Sequence, residues 1–487
     1  MRFNKLLLIL FILLFIISNR IYSKEQNYLN VSNLNILYKN IKILLNNSSL
    51  PLEKTSIKII SLKTNEIIFE HNPNKVLIPA SNMKLITSAA ALFFLGPNFT
   101  FSTDIYGDKP IHNGIIEGNI YIKGFGDPDL TTEKLWKISR ELKLRGLNEV
   151  KGDVIGDISF FDDQQTGLGW KESYGFSSFC PRISALSLNQ STIKIWIRPN
   201  YKIGTPAIIE LDPPTDFFEL INQTTTSYTY SKLYITRSTI SNGKNKILVK
   251  GNVKKENNSE CEEINLDNPG LYTTSVFTEL LKREGIKING KTKLGQIKKP
   301  VILLVSSNSR PLTQIIMDLN KFSINSIAEQ LLKFLGAKFR TPPGTSIKGT
   351  EVILNDFLKK EVGSDIQNIR IVDGSGLSPL NKISANCFID VLKYMYSKFK
   401  FESDYLSSLA ISGTDGTLYK RMKEAKGLIK AKTGFINGVS SLSGYTVTKD
   451  NEPIAFSIII NDLKNSAIAI DKQNKIGIML NSFSRNN

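Results

Sequence analysis

The chain has 487 residues, of which 41% are hydrophobic and 22% charged, so it can fill two or three domains and is not a disordered protein. With two histidines and three scattered cysteines, it leaves little room for a zinc cluster, a disulfide framework or a Ser-His-Asp triad, and no cofactor is predicted. The net charge of +18 is explained either by a proteome biased toward Lys, Asn and Ile or by a function near an anionic wall or membrane surface, to which the chain would be attracted non-specifically.

Residues 1–23 have the layout of a signal peptide. Arg2 and Lys5 precede an unbroken apolar run of 12 residues, Leu6–Ile17, and a polar stretch that ends at Ser23. Such a run spans about 18 Å as a helix, which is short for a bilayer. An uncleaved anchor is the alternative, because Ile21 stands where a small residue is usual. Either way we expect export to the periplasm or cell envelope, where nucleic acid is not a partner.

The next part of the chain changes character at about residue 105. Within residues 24–104 the pattern predicts a helix at Tyr28–Asn46 and two strands at Thr55–Leu62 and Glu66–Glu70. A buried alanine-rich helix follows, from Leu85 to just before Gly96-Pro97. Residues 105–300 show short alternating stretches and many turns, with only two helices, Thr132–Gly146 and Leu271–Gly285. This second block is predicted to be a β-rich insertion.

Helical character returns in residues 301–487. Helical segments are predicted at Ile315–Phe339 and Gly349–Val362. Three antiparallel strands follow at Gly427–Thr433, Val439–Lys449 and Glu452–Asn461, and a helical tail begins at Asn465. Neither 24–104 nor 301–487 closes a core alone. The fold class is therefore α+β, with a split catalytic domain interrupted by the insertion. Cys180 and Cys261 could form a disulfide in an oxidising compartment.

Three short motifs carry nucleophilic chemistry. Ser81-x-x-Lys84 opens the alanine-rich helix, Ser323-Ile324-Asn325 separates two helical runs, and Lys432-Thr433-Gly434 lies on an edge-type strand. Residues three apart share a helix face, so a desolvated Lys84 could serve as base for Ser81, with Lys432 as a second cation that lowers the pKa of Lys84. Taken singly, Ser81 and Ser323 could be mere helix caps; the order of all three motifs favours a serine acyl-enzyme.

Longer stretches resemble the D-alanyl-D-alanine carboxypeptidase/endopeptidase family of class C low-molecular-mass penicillin-binding proteins. They are Pro79–Leu85, Gly124–Pro128, Ser323–Glu329, Asp373–Ser378, Ser412–Leu418, Lys432–Gly434 and Gly438–Tyr445. The resemblance implies a penicillin-binding/β-lactamase-like catalytic domain, a D,D-peptidase acting on peptidoglycan stem peptides, and β-lactams as covalent inhibitors.

The same resemblance implies a role for each motif residue. Ser81 is the nucleophile, Lys84 the general base and Ser323 the proton relay. Substrate is bound by Asn325, Lys432, Thr433 and Gly434, and the backbone N–H groups of Ser81 and Phe435 form the oxyanion hole. No metal is involved.

The chain departs from the family pattern at two positions. Phe435 replaces the hydroxyl residue that usually follows Lys-Thr-Gly, and Ile324 stands where aspartate is common. The glycine-rich stretches at Gly124 and Gly374 are expected to shape turns rather than touch substrate. Two alternatives stay open: a β-lactamase or esterase of the same superfamily, for which no deacylating base is found, and a catalytically silent wall-binding protein, which Phe435 weakly favours.

Overall fold

The computed structural model describes residues 33–486. Its helices are α1 (33–46), α2 (Met83–Leu95), α3 (Thr132–Leu144), α4 (Pro269–Arg283), α5 (Leu312–Lys321), α6 (Asn325–Phe339), α7 (Ser346–Glu351), α8 (Ala385–Ser397), α9 (Glu402–Ser408) and α10 (Ser466–Ser482). A π-helical segment, Val352–Val362, continues α7. The predicted signal peptide lies outside the described residues, as does the predicted start of the first helix at Tyr28.

Twenty strands lie in the described part of the chain. They are β1 (Thr55–Ser61), β2 (Ile67–His71), β3 (Ser102–Gly107), β4 (Ile115–Ile116), β5 (Ile120–Gly124), β6 (Glu149–Val150), β7 (Val154–Asp157), β8 (Thr192–Arg198), β9 (Ile208–Asp212), β10 (Phe218–Ser227), β11 (Lys232–Thr239), β12 (Asn245–Lys254), β13 (Glu260–Asn265), β14 (Lys287–Ile288), β15 (Thr292–Leu294), β16 (Ile302–Asn308), β17 (Ala410–Ile411), β18 (Ile429–Ile436), β19 (Val439–Val447) and β20 (Pro453–Ile460). The α+β class predicted from the sequence is confirmed.

The described chain divides into two compact units. The first contains the described residues up to Asn82, Ile383–Ser397, and those from Leu409 onward. Its centre is a six-stranded antiparallel sheet in the order β17-β18-β19-β20-β1-β2, so the first hairpin of the chain pairs with the last strand.

Alternating residues of β1 explain how this sheet is buried on both faces. Ile57 and Ile59 belong to an apolar cluster with residues of α1 and α10. The intervening Ser56 faces α8, where its hydroxyl accepts the backbone N–H of Ala385 at 3.2 Å. The strand bearing the Lys-Thr-Gly motif is held in place by this two-sided packing.

The second unit contains Met83–Lys382 and Lys398–Ser408. Helix α2 is buried from Met83 to Leu92 because alanine and serine let neighbouring elements approach closely. It ends as predicted at Gly96-Pro97, where Gly96 has a φ of 82°, the left-handed conformation that favours glycine after a helix.

The block from β3 to β16 belongs to the second unit and holds fourteen of the strands, arranged in four small sheets. Its first and last strands pair antiparallel, with Ser102 opposite Asn308, so the chain enters and leaves the block at neighbouring points. The domain boundaries at 105 and 300 stay a prediction.

Three further features bear on the sequence analysis. The helical region predicted at Ile315–Phe339 consists of two helices, α5 and α6, and the break at residues 322–324 falls at the Ser-Ile-Asn motif, which was expected to separate two helical runs. Cys180, Cys261 and Cys387 are all free thiols, so the suggested Cys180–Cys261 disulfide is absent. No helix of the described residues is long and apolar enough to cross a membrane.

Candidate active site

Ser81 lies in a 3-10 turn, Ala80–Asn82, that leads directly into α2. Ala80, the residue before it, has a φ of 47°, a left-handed conformation that is costly for a residue with a Cβ atom. Such strain persists only where the surrounding structure fixes it, and it is most common at functional sites. The turn therefore presents Ser81 in a fixed backbone conformation.

Side chains of β19 hold this turn against the sheet of the first unit. The Ser441 hydroxyl donates to the Pro79 carbonyl at 2.6 Å. The buried Asn82 amide donates to the Lys432 carbonyl at 2.8 Å, while its oxygen accepts from the Ser443 hydroxyl at 2.6 Å. The turn and the Lys-Thr-Gly strand are thus tied together by hydrogen bonds.

Gly434 is the point where β18 comes closest to the Ser81 turn. A Cβ atom added there would lie 2.8 Å from the Pro79 carbonyl oxygen and 3.0 Å from the Ser81 nitrogen. Carbon at such distances from backbone atoms is a clash, so only glycine permits this approach. The backbone nitrogen of Ser81 consequently lies close to the strand that carries the motif.

The other residues of the motif are arranged along β18. Lys432 is fully buried, and its ammonium donates to the Thr433 carbonyl at 2.8 Å. The Thr433 hydroxyl donates to the Thr417 hydroxyl at 2.8 Å. Phe435 is 59% exposed. Thr417 belongs to one of the stretches that resemble the family, but no pattern in the sequence indicates that it bonds to Thr433.

Lys84, the second residue of α2, is a buried charged side chain. It has no solvent exposure, and its ammonium donates to Asn325 Oδ1 at 2.6 Å and to the Ser375 carbonyl at 2.8 Å. Lys84 of the first motif and Asn325 of the second motif are thus direct neighbours.

Burial lowers the pKa of Lys84 from its ordinary value of 10.5 to about 7, because a charged ammonium is poorly solvated there. The negative charge of Asp373 opposes this shift, as would a negative charge on Glu329. Desolvation was one of the two causes expected from the sequence. The part assigned to Lys432 as a second cation stays a prediction.

The Asn325 side chain is engaged at both ends. Besides accepting from Lys84, its nitrogen donates one hydrogen to the Phe179 carbonyl at 2.6 Å, which leaves the second amide hydrogen for another acceptor. Phe179 lies in the insertion, which therefore contributes to the setting of this motif. Ser323, in the break before α6, has a φ of 62°, a second strained position at a motif.

The loop after Asp373 closes around Lys84, and its contribution was missed in the sequence analysis. Glu329 Oε1 accepts the backbone N–H groups of Gly374 and Ser375 at 2.9 and 2.8 Å, and Asp373 accepts from Trp170 Nε1 at 2.9 Å. Burial, together with the charge of Asp373, raises the pKa of Glu329 to about 8. The Gly374 stretch does shape a turn, as expected, but it also supplies a carbonyl to the lysine.

Within the described residues no group of three or more His, Cys, Asp or Glu side chains could hold a metal ion. The arrangement instead offers a serine on a strained turn, a desolvated lysine, and a glycine that brings a strand to the serine's backbone N–H. These are the elements of acyl transfer by a serine with a lysine base.

Comparison with known proteins gives one consistent result. The model of the D-Ala-D-Ala carboxypeptidase 3 (S13) family matches residues 37–481. The chain is 30% identical over 450 residues to the D-alanyl-D-alanine carboxypeptidase of Actinomadura sp. (strain R39), covering 87% of this chain and 81% of that protein. It is 28% identical over 410 residues to D-alanyl-D-alanine carboxypeptidase DacB of Haemophilus influenzae, covering 82% and 84%. The crystal structure of penicillin binding protein 4 (dacB) from Haemophilus influenzae superposes with a TM-score of 0.79 at 25% identity, covering 91% of this chain and 100% of that one.

Proposed function

Because the chain belongs to the D-Ala-D-Ala carboxypeptidase 3 (S13) family, it is a serine D-Ala-D-Ala carboxypeptidase, and we propose that Ser81 is the residue that its substrate acylates. The substrate is the D-Ala-D-Ala end of peptidoglycan stem peptides. The observation that carries the assignment is Lys84, a fully buried lysine with a pKa near 7, three residues after a serine on a strained turn. Cleavage of peptide cross-links is a second reaction of the same chemistry.

The proposed steps use only the motif residues. Neutral Lys84 accepts the Ser81 hydroxyl proton as Ser81 Oγ attacks the carbonyl carbon of the penultimate D-alanine. The backbone N–H groups of Ser81 and Phe435 stabilise the oxyanion. Ser323 passes the proton to the leaving D-alanine nitrogen, and water then hydrolyses the ester to release the shortened peptide and restore the Ser81 hydroxyl.

Substrate is held by the remaining motif residues in this proposal. Lys432 and Thr433 bind the terminal carboxylate, Gly434 lets the strand approach, and Asn325 offers its second amide hydrogen to a peptide carbonyl of the substrate. The strain at Ala80 and Ser323 supports an active-site role for both motifs.

The proposed location is the periplasm or cell envelope. It is supported by the signal-peptide layout of residues 1–23 and by the cell-wall nature of the substrate. A loose association with the wall or membrane surface would follow from the net charge of +18.

Treatment with penicillin is expected to leave a stable acyl group on Ser81. Mass spectrometry of the digested protein should place the adduct on the peptide that contains Ser81, and Ser81→Ala should carry none. Ser407→Ala, which removes an exposed serine hydroxyl of α9, is the matched control and should label like the wild type. An adduct elsewhere would contradict the assignment. A label that is lost within seconds would instead indicate a β-lactamase.

Phe435→Thr is expected to raise kcat/KM on an acyl-D-Ala-D-Ala peptide by a few-fold to about tenfold, since a hydroxyl can add a hydrogen bond to the terminal carboxylate. Phe435 is 59% exposed, so removing its ring opens no buried cavity. Phe399→Thr, at a phenylalanine that is 96% exposed, is the control for the change in surface hydrophobicity. An unchanged or slower Phe435→Thr enzyme would mean that the phenyl ring itself contacts substrate or lies too far from the carboxylate.

A further inference from the structure

Glu329 is a buried acid beside the proposed base that none of the steps above uses. It lies on α6, four residues after Asn325, and is 1% exposed. Its Oε1 accepts the backbone N–H of Ser375 at 2.8 Å, and the carbonyl of the same Ser375 accepts from Lys84 Nζ at 2.8 Å. One face of α6 therefore bears on two acceptors of Lys84: Asn325 accepts from Lys84 directly, and Glu329 holds the loop residue Ser375, whose carbonyl is the other.

The two oxygens of Glu329 differ in their surroundings. Oε1 accepts two backbone N–H groups, whereas Oε2 is buried and has no hydrogen-bond partner among the described residues. An ionised carboxylate would leave charge on an oxygen that nothing solvates, which is costly in a protein interior. The bonding pattern favours the protonated acid.

Asp373, the neighbouring acid, has the opposite surroundings. It accepts four N–H groups at 2.7–2.9 Å, from Gly376, Ser378, Asn381 and Trp170. Such a set satisfies a carboxylate, so the single negative charge of the pair belongs on Asp373. A second charge on Glu329 would be repelled by the first.

The position of the proton matters to Lys84. The charge of Asp373 acts on both Glu329 and Lys84, and a charge on Glu329 acts on Lys84. A second carboxylate beside Lys84 would favour the ammonium form and raise its pKa, and an ammonium cannot accept a proton from a serine. A protonated Glu329 holds the loop without adding that charge.

Resting on the proposed function, we propose that Glu329 is a positioning residue that acts in its protonated form: it fixes the Ser375 carbonyl on Lys84 while withholding a second negative charge from the base. Glu329→Gln preserves an uncharged side chain with an acceptor oxygen. The pH at which acylation by a fluorescent penicillin becomes half-maximal should therefore move by less than about 0.3 units in Glu329→Gln.

The positioning role is tested by a variant that lacks the acceptor. Glu329→Met keeps much of the volume but cannot hold the 374–375 backbone, so the acylation rate at high pH should fall about tenfold or more. Gln330→Ala is the matched control, because Gln330 is equally buried on α6 but bonds to Ser184. It should lose stability without losing acylation rate.

Three outcomes would overturn the proposal. A downward shift of the half-maximal pH by one unit or more in Glu329→Gln would mean that Glu329 is ionised in the wild type. An undiminished rate in Glu329→Met would remove the positioning role. If Glu329→Met does not fold, infrared spectroscopy decides: the C=O stretch of a protonated carboxylic acid should be present in the wild type at pH 7 and absent in Glu329→Gln, and a wild type without this band would overturn the proposal. Because this band needs no substrate, a wild type that is not labelled on Ser81 would refute the proposed function while leaving the Glu329 test intact.

Discussion

Replacing Lys84 by alanine is expected to slow acylation of Ser81 by about a thousandfold or more, as other losses of a base that acts as a unit with its nucleophile do. In the wild type, burial holds the pKa of Lys84 at about 7, so the neutral form that can accept a proton increases as pH rises through 7. Below that value the rate should fall about tenfold per pH unit. Stopped-flow measurement with a fluorescent penicillin between pH 5 and 9 checks both statements.

Two further variants separate loss of the base from loss of packing. Lys84→Met fills most of the same space and should be as inactive as Lys84→Ala. Lys333→Met removes the other fully buried lysine of the second unit, which bonds to Asp162 at 2.5 Å, and should acylate normally. Rapid acylation of Lys84→Met would show that another group is the base.

Stability gives an independent check on the pKa of Lys84. Because its folded pKa lies below the unfolded value of 10.5, the unfolded chain binds more protons between about pH 7 and 10.5. The wild type should therefore gain stability relative to Lys84→Met as pH rises through this window. Urea unfolding of both proteins at pH 6.5 and 9.5 measures the difference.

Gly434→Ala is expected to reduce acylation by about a hundredfold, since displacement of reacting groups by about 1 Å costs that much. The new methyl group would lie 2.2 Å from Ser441 Oγ, 2.8 Å from the Pro79 carbonyl oxygen and 3.0 Å from the Ser81 nitrogen. The first contact can be relieved by a rotation of Ser441. The other two are with backbone and require the Ser81 turn to move away from β18.

The control for Gly434→Ala is Gly295→Ala, where a Cβ atom would meet one side-chain atom, Ile155 Cγ2, at 3.0 Å. This variant should acylate normally. Adding Ser441→Ala to Gly434→Ala should restore little activity, because the backbone contacts remain. Full recovery in the double variant would mean that the added methyl group clashes with the Ser441 hydroxyl and not with the backbone of the Ser81 turn.

Several helices and strands of the fold could be predicted because the sequence patterns that specify them are local. The alternation in β1, the alanine-rich composition of α2 and the Gly96-Pro97 stop are each contained in a few residues. The Ser-Ile-Asn motif could be placed between two helical runs, but the bounds of α5 and α6 could not be predicted. The left-handed backbone of Ser323, which lies in the break, is not indicated by the sequence pattern.

The setting of Lys84 could be predicted only in part. The three-residue spacing between Ser81 and Lys84 predicted that Lys84 is the base, and this spacing can be read from a short stretch of sequence. The Ser375 carbonyl, the Glu329 carboxyl and the Phe179 carbonyl come from elements far apart in sequence, and backbone acceptors leave no mark in side-chain patterns. Glu329 was within a quoted family stretch, yet its burial with an unpartnered oxygen depends on tertiary packing.

The strand order of the six-stranded sheet determines when during translation the sheet can form. Ile57 of β1 pairs with Ile458 of β20, so roughly four hundred residues must be synthesised after β1 before it meets its second neighbour, β2 being the first. Until then β1 and β19 each present an unpaired edge, and exposed edges invite association with other chains. A chain terminated before Pro453 would lack the strand that both edges share. The Ser81 turn, which is translated before the other two motifs, thus acquires its supporting sheet only when translation is nearly complete.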